Sequence, residues 1–254
     1  MRVISLQSGS NGNCIYVEAG DVKLLFDAGI SGIQVKERLT LYGRDAADVS
    51  AVLISHDHVD HARSMGIYHR KFGLPIYVTA GTYRTASRHK LGKISDINHF
   101  SAGETLRFER VAVETISTPH DGVDGVVFVV DDGKHRLGVL TDLGHVFGDL
   151  EAVIGSLDAV LLESNYDPDM LASGPYPEWL KERIVGPAGH ISNHEAAELL
   201  QVAATKRMKW ACLAHLSHDN NTPDLALRTH RKVLGKRLPL FVATRYEPTG
   251  VLEL

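Results

Sequence analysis

The sequence predicts an α/β protein, and three features of the chain support this prediction. With 254 residues and 44% hydrophobic content, the chain is long enough to bury a full core within one domain. Short apolar runs rich in Val, Ile and Leu alternate with segments of helical periodicity. Histidine and aspartate residues directly follow several of these runs, so polar side chains are delivered from strand ends in both halves of the chain.

Five strands and three helices are predicted in the first half of the chain. Alternating or continuous apolar residues predict strands at residues 2–5, 14–19, 23–27, 51–55 and 74–79. Helical periodicity predicts helices at residues 33–42, 61–72 and 81–90. The first two strands are joined by a polar, Gly-rich loop at residues 8–13. This loop is either a simple turn or a source of backbone N–H groups and hydroxyls for an anion, and the sequence favours neither.

The second half has the same order of strands followed by helices. A second sheet region is predicted at residues 98–108, 111–118, 126–130 and 136–141, and further strands at 156–163, 209–214 and 240–244. A proline-rich loop at 168–177 precedes predicted helices at 179–184, 193–206 and 222–235. Ser192 and Glu195 form a capping box for the second of these helices. No linker or repeat interrupts the pattern, so residues 1–254 are predicted to form a single domain.

The net charge of −4 gives the chain no general basic character, but the charges are unevenly distributed. Residues 62–95 contain seven Lys and Arg and no acid, which leaves −11 on the rest of the chain. Residues 142–169 contain seven acids and no Lys or Arg. Such blocks shape the electric field around a site. The basic segment is either a solvated face or a track for a phosphate backbone.

The sequence also indicates the compartment. Cys14 and Cys212 lie in separate apolar runs, which favours buried free thiols in a reducing compartment over a disulfide. The first twelve residues lack the basic start and apolar core of a signal peptide. No apolar run approaches the ~18 residues that span a bilayer. We therefore expect a cytoplasmic protein with no membrane partner, and the sequence leaves its oligomeric state open.

The strongest functional signal is the motif His-Asp-His-Val-Asp-His at residues 56–61. It directly follows the predicted buried strand 51–55, so three histidines and two carboxylates stand where a strand ends. Neutral imidazole and carboxylate are ligands of Zn, Mn and Fe. His56 and His58 can point to one side of the loop, whereas Asp60 and His61 lie half a helical turn further on. The motif therefore predicts a site for two divalent metal ions.

Three later strand ends supply residues that such a site still needs: His120, Asp142 and His215. The predicted ligands of the first metal are His56, His58 and His120; those of the second are Asp60, His61 and His215. Asp142 is predicted to bridge the two. Two ions ~3.5–4 Å apart lower the pKa of a shared water or hydroxide toward 7 and polarise the electrophile. This chemistry suits hydrolysis of phosphoesters or of lactams, lactones and thioesters, and the ligands alone do not choose between them.

The predicted catalytic residues are Asp60, His190 and Glu163. Phosphodiester hydrolysis expels an alkoxide, so a proton donor on the leaving side accelerates it. His190 stands just before a predicted helix and is free to face a cleft. Glu163 is either a carboxylate that orients this histidine or an acid that acts through water. Asp27, at the end of the third strand, is either a turn residue or a carboxylate that orients a metal-binding histidine.

The chain resembles the metallo-β-lactamase superfamily, whose five motifs match Asp27, residues 56–61, His120, Asp142 and His215 in order and spacing. Within it, the chain is similar to the small bacterial exonucleases of the WalJ/YycJ type. The more specific matches are Ser-Gly-Ser-Asn-Gly-Asn at 8–13, Leu-Leu-Glu-Ser-Asn at 161–165, Gly-His-Ile-Ser-Asn at 189–193 and His-Leu-Ser-x-Asp-Asn-Asn at 215–221. Together they extend the resemblance over about residues 1–245.

The resemblance implies a four-layer αβ/βα sandwich, in which two facing mixed β-sheets are flanked by helices and hold the site at one edge. It implies a phosphodiesterase that depends on manganese or zinc and that degrades duplex DNA, rather than RNA, from 5′ to 3′. It also implies that the feature around His190 donates a proton at the scissile phosphate. Tyr166 and His145 stand where His and Tyr are more usual, which leaves the metal ligands intact but puts substrate preference in question.

Substrate contacts are predicted from two sources. The residues in the matching motifs are Ser8, Ser10, Asn11, Asn13, Asn165, Ser192, Asn193, Ser217 and Asn220. In the basic segment 62–95, Arg84 and Arg88 are predicted to follow a duplex backbone. Two alternatives stay open: a small-molecule metallohydrolase of the phosphodiesterase, lactonase or thioesterase type, and a metal-dependent binding module without turnover. For the small-molecule enzyme, the basic segment would be only a solvated face.

Overall fold

Two seven-stranded mixed sheets face each other in the computed structural model, which describes every residue from Met1 to Leu254. The strands are β1 (Arg2–Gln7), β2 (Cys14–Ala19), β3 (Val22–Phe26), β4 (Ala51–Leu53), β5 (Ile76–Thr79), β6 (Ile97–Phe100), β7 (Thr105–Phe108), β8 (Val111–Ser117), β9 (Val126–Asp131), β10 (Arg136–Leu140), β11 (Ala159–Glu163), β12 (Trp210–Ala214), β13 (Leu240–Val242) and β14 (Leu252–Glu253).

The two sheets have the same pattern of pairing. The first has the strand order β14-β1-β2-β3-β4-β5-β6, and the second has the order β13-β12-β11-β10-β9-β8-β7. In the first sheet β14 to β3 pair antiparallel and β3 to β6 pair parallel. In the second, β7 to β10 pair antiparallel and β10 to β13 pair parallel. Parallel strands need crossover connections, and helices provide most of these here.

The helices are α1 (Gly32–Thr40), α2 (Val59–Ala62), α3 (Met65–Phe72), α4 (Ala80–Ala86), α5 (Leu150–Gly155), α6 (Pro168–Ser173), α7 (Glu178–Val185), α8 (Asn193–Ala203) and α9 (Pro223–Leu234). Buried residues of α1, α3 and α4 pack on the outer face of the first sheet. Buried residues of α5, α8 and α9 do the same on the second sheet. Helices, sheet, sheet and helices therefore form four layers, which confirms the predicted αβ/βα sandwich.

A hydrophobic core between the sheets joins the two halves of the chain. Alternate residues of a strand face this core or the outer helices: Ile15 and Val17 of β2 face inward, whereas Tyr16 faces the helices. Phe26 of the first sheet and Phe128 of the second meet across the interface, with ring centroids 5.1 Å apart. Because central strands are covered on both faces, their sequences are almost continuously apolar.

Two predicted elements differ from the structure in the first half. The helix predicted at 61–72 is divided into α2 and α3, since Ser64 has non-helical angles of φ −107° and ψ 2°. The helix predicted at 81–90 ends at Ala86 and continues as a 3₁₀ turn, Ser87–His89. In both cases helical residues follow the break, so apolar periodicity did not mark it.

Three further predictions are corrected in the second half, and two elements there were missed. The strand predicted at 98–108 breaks at Gly103, whose φ is +89°; β6 pairs in the first sheet and only β7 in the second. The strand predicted at 156–163 starts at Ala159, and α5 just before it was missed. The proline-rich loop contains α6, which Asp167 caps while Pro168 occupies its first turn. The C-terminal strand β14 was also missed, because two residues carry no periodicity.

Both cysteines are free and buried, as predicted. None of the helices has the length and apolar character needed to cross a membrane. The cytoplasmic location stays a prediction.

The Phe26–Phe128 contact generates a prediction about stability. Replacing Phe128 by Ala removes a fully buried ring from the core between the sheets, so we expect the free energy of unfolding to fall by about 3–5 kcal/mol. Chemical denaturation followed by circular dichroism measures this change. The control is Val202→Ala on the exposed side of α8, which is expected to change stability by less than about 0.5 kcal/mol. Equal effects of the two substitutions would contradict the proposed packing.

Candidate metal centre

The predicted ligands meet at one edge of the two sheets, in loops that follow strand ends. Asp27 and His215 directly follow β3 and β12, and one residue separates Asp142 from the end of β10. All three have positive φ angles: 66° at Asp27, 60° at Asp142 and 55° at His215. Residues other than Gly rarely adopt this left-handed conformation, and where they do, the strain often marks a functional site. Gly29 permits a further close approach, because a Cβ there would lie only 1.7 Å from the carbonyl oxygen of Asp60.

His56, His58 and His120 form the first group, with ring nitrogens within 4.8 Å of one another. His120 Nδ1 donates to the carbonyl oxygen of Gly189 at 2.8 Å, and His58 Nε2 faces the carboxylate of Asp121 at 3.2 Å. The other nitrogens, Nε2 of His120 and Nδ1 of His58, therefore both present lone pairs and lie 3.2 Å apart. The buried Nε2 of His56 has no hydrogen-bond partner. Three converging lone pairs favour a cation.

Asp60, His61 and His215 form the second group. His61 is fully buried, and its Nδ1 donates to Oδ2 of Asp27 at 2.7 Å, so the lone pair is expected on Nε2. That Nε2 lies 3.4 Å from Oδ2 of Asp60. Asn13 contacts all three members: its Nδ2 reaches Asp60 and His61 at 3.0 and 2.9 Å, and its Oδ1 lies 3.2 Å from His215 Nδ1.

The carboxylate of Asp142 lies between the two groups. Its Oδ1 is 3.6 Å from His120 Nε2 of the first group and 3.3 Å from His215 Nε2 of the second. Its Oδ2 is 3.3 Å from His61 Nε2. The Thr118 hydroxyl donates to the Asp142 carbonyl oxygen at 2.6 Å and holds this backbone in place. One carboxylate thus reaches nitrogens of both groups, which is the geometry that a bridging ligand requires.

The protonation states in this cluster suit metal ligands. Burial lowers the pKa of His56 well below its usual value, and it also lowers the pKa values of His58 and His215. Burial alone would raise the pKa of Asp142, but the surrounding imidazoles, above all His215, outweigh it and hold that pKa well below its usual range. Neutral imidazoles and ionised carboxylates are the forms that bind metal ions.

His61 is the exception, and it supports the same conclusion. Burial lowers its pKa, but the carboxylates of Asp142, Asp27 and Asp60 outweigh burial and raise it well above its usual value. A proton on this buried ring supplies positive charge that the three carboxylates need. A divalent cation would supply that charge instead and leave the imidazole neutral. The unpartnered nitrogen of His56 and the converging lone pairs show that these residues fit metal ions.

His190 stands beside the cluster and pairs with a buried carboxylate. Its Nδ1 donates to Oε1 of Glu163 at 2.6 Å. Glu163 is 0% exposed, and its Oε2 accepts the backbone N–H groups of Leu143 and Ile191 at 3.0 and 3.3 Å. Burial lowers the pKa of His190, but Glu163 outweighs it and raises that pKa. Because Glu163 has no path to solvent, its geometry favours the orienting role over an acid acting through water.

A cleft of about 320 Å³ opens over these residues. Of the predicted substrate-contact residues in the matching motifs, Ser10, Asn165 and Ser217 line it, together with Asp60 and His190. Asn165 also donates through Nδ2 to the carbonyl oxygen of His215 at 2.8 Å. These side chains can therefore contact a bound substrate while they fix the loops around it.

The other six residues predicted from these motifs do not line the cleft: Ser8, Asn11, Asn13, Ser192, Asn193 and Asn220. Each of them makes at least one hydrogen bond within the protein. Ser8 Oγ, for example, accepts the backbone N–H of His215 at 2.8 Å, and Ser192 caps α8 in the predicted capping box. Asn193 and Asn220 are fully buried. Most of this polar sequence therefore shapes the loops that carry the ligands.

Part of the basic segment 62–95 makes contacts within the protein. Arg84 and Arg88 are exposed on α4 and the turn after it, and neither lines the cleft. Arg70 instead donates to the carbonyl oxygens of Leu91 and Lys93 at 2.8 and 3.2 Å. Lys71 lies over the ring of Phe72. At least two of the seven cations therefore have structural contacts.

Sequence reasoning missed Asp121 and Arg183. Arg183 of α7 lines the cleft, and its Nε donates to Oδ2 of Asp121 at 2.6 Å. The other oxygen of Asp121 faces His58 Nε2 at 3.2 Å, so the arginine, the aspartate and the predicted ligand form a chain. The position of Asp121 directly after His120 was a usable signal. Nothing in the sequence indicated that α7 would bring Arg183 to the cleft.

Comparison with known proteins places the chain in a family. A model of the beta-lactamase superfamily domain matches residues 23–215. The exodeoxyribonuclease YycJ of Bacillus anthracis is 35% identical over 234 residues, which cover 91% of this chain and 88% of the relative. The exodeoxyribonuclease WalJ of Streptococcus pneumoniae is 37% identical over 229 residues, which cover 88% and 84%.

A solved structure shows the same fold at lower identity. Zn²⁺-bound PqqB from Methylobacterium extorquens is 19% identical, with a TM-score of 0.75 over 100% of both chains. Its similarity concerns the four-layer architecture, whereas the matches to YycJ and WalJ concern the sequence over most of its length. The chain therefore belongs to the metallo-β-lactamase superfamily and, within it, to the WalJ/YycJ family.

Proposed function

We propose that this protein is a metal-dependent phosphodiesterase that degrades double-stranded DNA exonucleolytically from the 5′ end. The observation that carries the proposal is the arrangement of two groups of metal-binding residues around Asp142, with the His190–Glu163 pair beside them. The relatives YycJ and WalJ, which share about a third of their residues with this chain, are exodeoxyribonucleases. That activity supports DNA as the substrate here.

We propose two divalent ions, zinc or manganese, with iron as an alternative. His56, His58 and His120 would hold the first, and Asp60, His61 and His215 the second, with Asp142 shared between them. When bound, such ions activate a water and stabilise negative charge on the oxygens of the phosphate. Asp27 and the Gly189 carbonyl accept hydrogen bonds from the outer nitrogens of His61 and His120, and so fix which nitrogen faces inward. The Asp121 carboxylate lies 3.2 Å from the outer nitrogen of His58 and favours the proton there.

His190 is the proposed proton donor to the leaving oxygen. Glu163 fixes the imidazole through Nδ1, which leaves Nε2 for the substrate. The carboxylate raises the pKa of His190 and so keeps the ring protonated to higher pH. Glu163 acts through His190 and is a positioning residue, whereas His190 is the catalytic one. General acids of this kind contribute about 10²- to 10⁴-fold to rate.

We propose contacts with the DNA both near the reacting bond and further along the duplex. Ser10, Asn165 and Ser217 line the cleft and are suited to phosphate and sugar oxygens near the reacting bond. Arg183, 44% exposed in its side chain, adds a cation to the same cleft. Arg84 and Arg88 lie outside it, and any contact they make would be with the duplex further from the reacting end. Such phosphate contacts make binding strongly dependent on salt.

The first prediction tests the activity itself. Protein reconstituted with manganese or zinc should release nucleotides progressively from linear duplex DNA that carries a label at the 3′ end or internally. His58→Ala should abolish this release, because it removes a nitrogen of the first group. His194→Ala, an exposed histidine of α8, is the matched control. Intact DNA, together with turnover of a lactone, thioester or small phosphodiester, would contradict the proposal and favour the small-molecule enzyme.

The second prediction concerns Asp27. In Asp27→Asn the amide can still accept the N–H of Ser55, but its NH₂ group would face His61 Nδ1 and disfavour the proton there. The lone pair on Nε2 would be lost, so we expect metal affinity at the second group to fall about 10- to 100-fold. Elemental analysis after dialysis against graded chelator measures this loss. Asp124→Asn is a matched control, since Asp124 is exposed and also has a positive φ of 51°.

The third prediction separates proton donation from other roles of His190. His190→Ala should slow DNA hydrolysis by about 100-fold or more, because an alkoxide leaves poorly without a proton. The same variant should slow hydrolysis of bis(p-nitrophenyl) phosphate far less, because p-nitrophenolate leaves without one. An equal loss on both substrates would contradict the role as an acid.

The fourth prediction concerns the pH dependence of that acid. A general acid is active below its pKa, and activity is lost as pH rises through it. Glu163 raises the pKa of His190, so Glu163→Gln should lower this pKa and move the alkaline limb of the kcat/KM profile to lower pH. An unchanged alkaline limb would show that another group governs it. A metal-content measurement on the variant controls for damage to the nearby cluster.

A further inference from the structure

The cleft over the metal centre has an apolar side that the proposed chemistry does not use. Four of its lining residues are apolar or aromatic: Val59, Tyr176, Leu180 and Ile184. The last three lie on α7 or two residues before it, and we call these three the apolar wall. Metal binding and proton transfer need the polar residues of the cleft, but neither needs hydrocarbon surface beside a phosphate. The apolar wall therefore indicates that the substrate presents an apolar group at this place.

Contacts with two neighbouring segments hold the apolar wall in position. Leu180 and Ile184 are four residues apart and so lie on the same side of α7, where they join a small hydrophobic cluster with Leu171 of α6. The hydroxyl of Tyr176 donates to Oδ2 of Asp219 at 2.8 Å, which ties its ring to the loop after β12. Ile184 is buried, whereas Tyr176 and Leu180 are only partly buried and keep surface open toward the cleft.

Size and chemistry identify the group that fits this wall. A phosphodiester on the metal centre brings with it the sugar and base of the nucleotide being released, and the base is the part with a broad apolar face. The cleft, at about 320 Å³, is at the lower end of the range for small-molecule sites and suits one nucleotide, not a base pair. In a duplex the base is held by its stacked neighbour and by the opposite base. It can therefore reach the wall only after it separates from both.

We propose that the apolar wall binds the base of the nucleotide being released, after this base has separated from the opposite strand, with the ring of Tyr176 as the stacking surface. Aromatic side chains stack on bases of any sequence, because every base has a π-face. Tyr176 and Leu180 then determine specificity by selecting an unpaired end nucleotide, whereas the metal centre hydrolyses its bond. The assignment rests on the proposed nuclease function and adds to it the separation of the strands at the site.

Strand separation at the cleft has a consequence for the rate. Separating the end base from its partner costs free energy, and this cost is smaller when the end is already mismatched. A mismatched end should therefore be hydrolysed faster than a paired end, although the released nucleotide is the same. Removal of the base itself should slow the reaction, because the wall then loses its contact. The contact of one base with an aromatic ring corresponds to about 10-fold in kcat/KM.

The test measures kcat/KM for release of the first nucleotide from three duplexes that carry the same 5′-phosphate. The first has a terminal thymine opposite adenine, the second has the same thymine opposite cytosine, and the third has an abasic tetrahydrofuran residue opposite cytosine. We expect the wild-type protein to prefer the mismatched end over the paired end by about 5-fold or more. It should prefer the mismatched end over the abasic end by about 10-fold.

Substitutions on α7 and just before it identify the contact. Tyr176→Ala should reduce the preference for the base over the abasic residue to about 1, whereas Tyr176→Phe should keep it because the ring stays. Trp179→Ala is the matched control, since it removes an exposed aromatic ring from the same helix outside the cleft and should leave the preference unchanged. Metal content and thermal unfolding establish that the variants are folded.

Two results with the wild-type protein, which do not depend on the folding of a variant, would overturn the proposal. They are equal rates on paired and mismatched ends, and an abasic end that is released as fast as the mismatched one. A preference that survives in Tyr176→Ala, or that is lost in Tyr176→Phe, would overturn the stacking role of the ring. In each case DNA hydrolysis itself stands. Wild-type protein that leaves every duplex intact would overturn the exonuclease function and this inference with it.

Discussion

The buried carboxylate of Asp142 is the constraint on which the rest of the site depends. Only 3% of its side chain is exposed, and imidazole nitrogens of His61, His120 and His215 surround it within 3.6 Å. Partners of the outer nitrogens, such as Asp27 for His61 and the Gly189 carbonyl for His120, direct the inner nitrogens toward the carboxylate. The carboxylate is ionised, and a buried anion is costly unless positive charge compensates it. Metal cations would balance the charge of the carboxylate and bind the imidazole nitrogens. Metal binding and folding of these loops are therefore expected to be coupled.

The fold supplies this cluster from both of its sheets. His56 and His61 follow a strand of the first sheet, whereas His120, Asp142 and His215 follow strands of the second. A cation shared by these residues would link the two sheets at one edge, in addition to the hydrophobic core between them. The left-handed backbone at Asp142 and His215 carries strain that the surrounding hydrogen bonds must hold. Thr118 and Ser8 provide two of these, to the Asp142 carbonyl and the His215 N–H.

Much of this arrangement could be predicted from the sequence, because its strongest signals are local. Strand ends followed by His or Asp identified every residue of the cluster, and the capping box located the start of α8 beside His190. The predictions that failed depended on contacts between segments that are far apart in the chain. The assignment of β6 to the first sheet requires knowing that the chain crosses between sheets at Gly103. Likewise, no local pattern distinguishes Ser10, which faces the cleft, from Asn13, which is buried beneath it.

The charge blocks show the same limit in physical terms, since sequence counts charges without showing their partners. Of the acids in residues 142–169, Asp158 pairs with Arg207, Asp167 caps α6, and Glu163 orients His190. These carboxylates are compensated locally and contribute little to a field outside the protein. In the basic segment, Arg70 donates to backbone carbonyls, which fixes its side chain but leaves its charge uncompensated. An unpaired charge is therefore more informative than a dense block of charges, because pairing removes most of a charge's effect on a distant ligand.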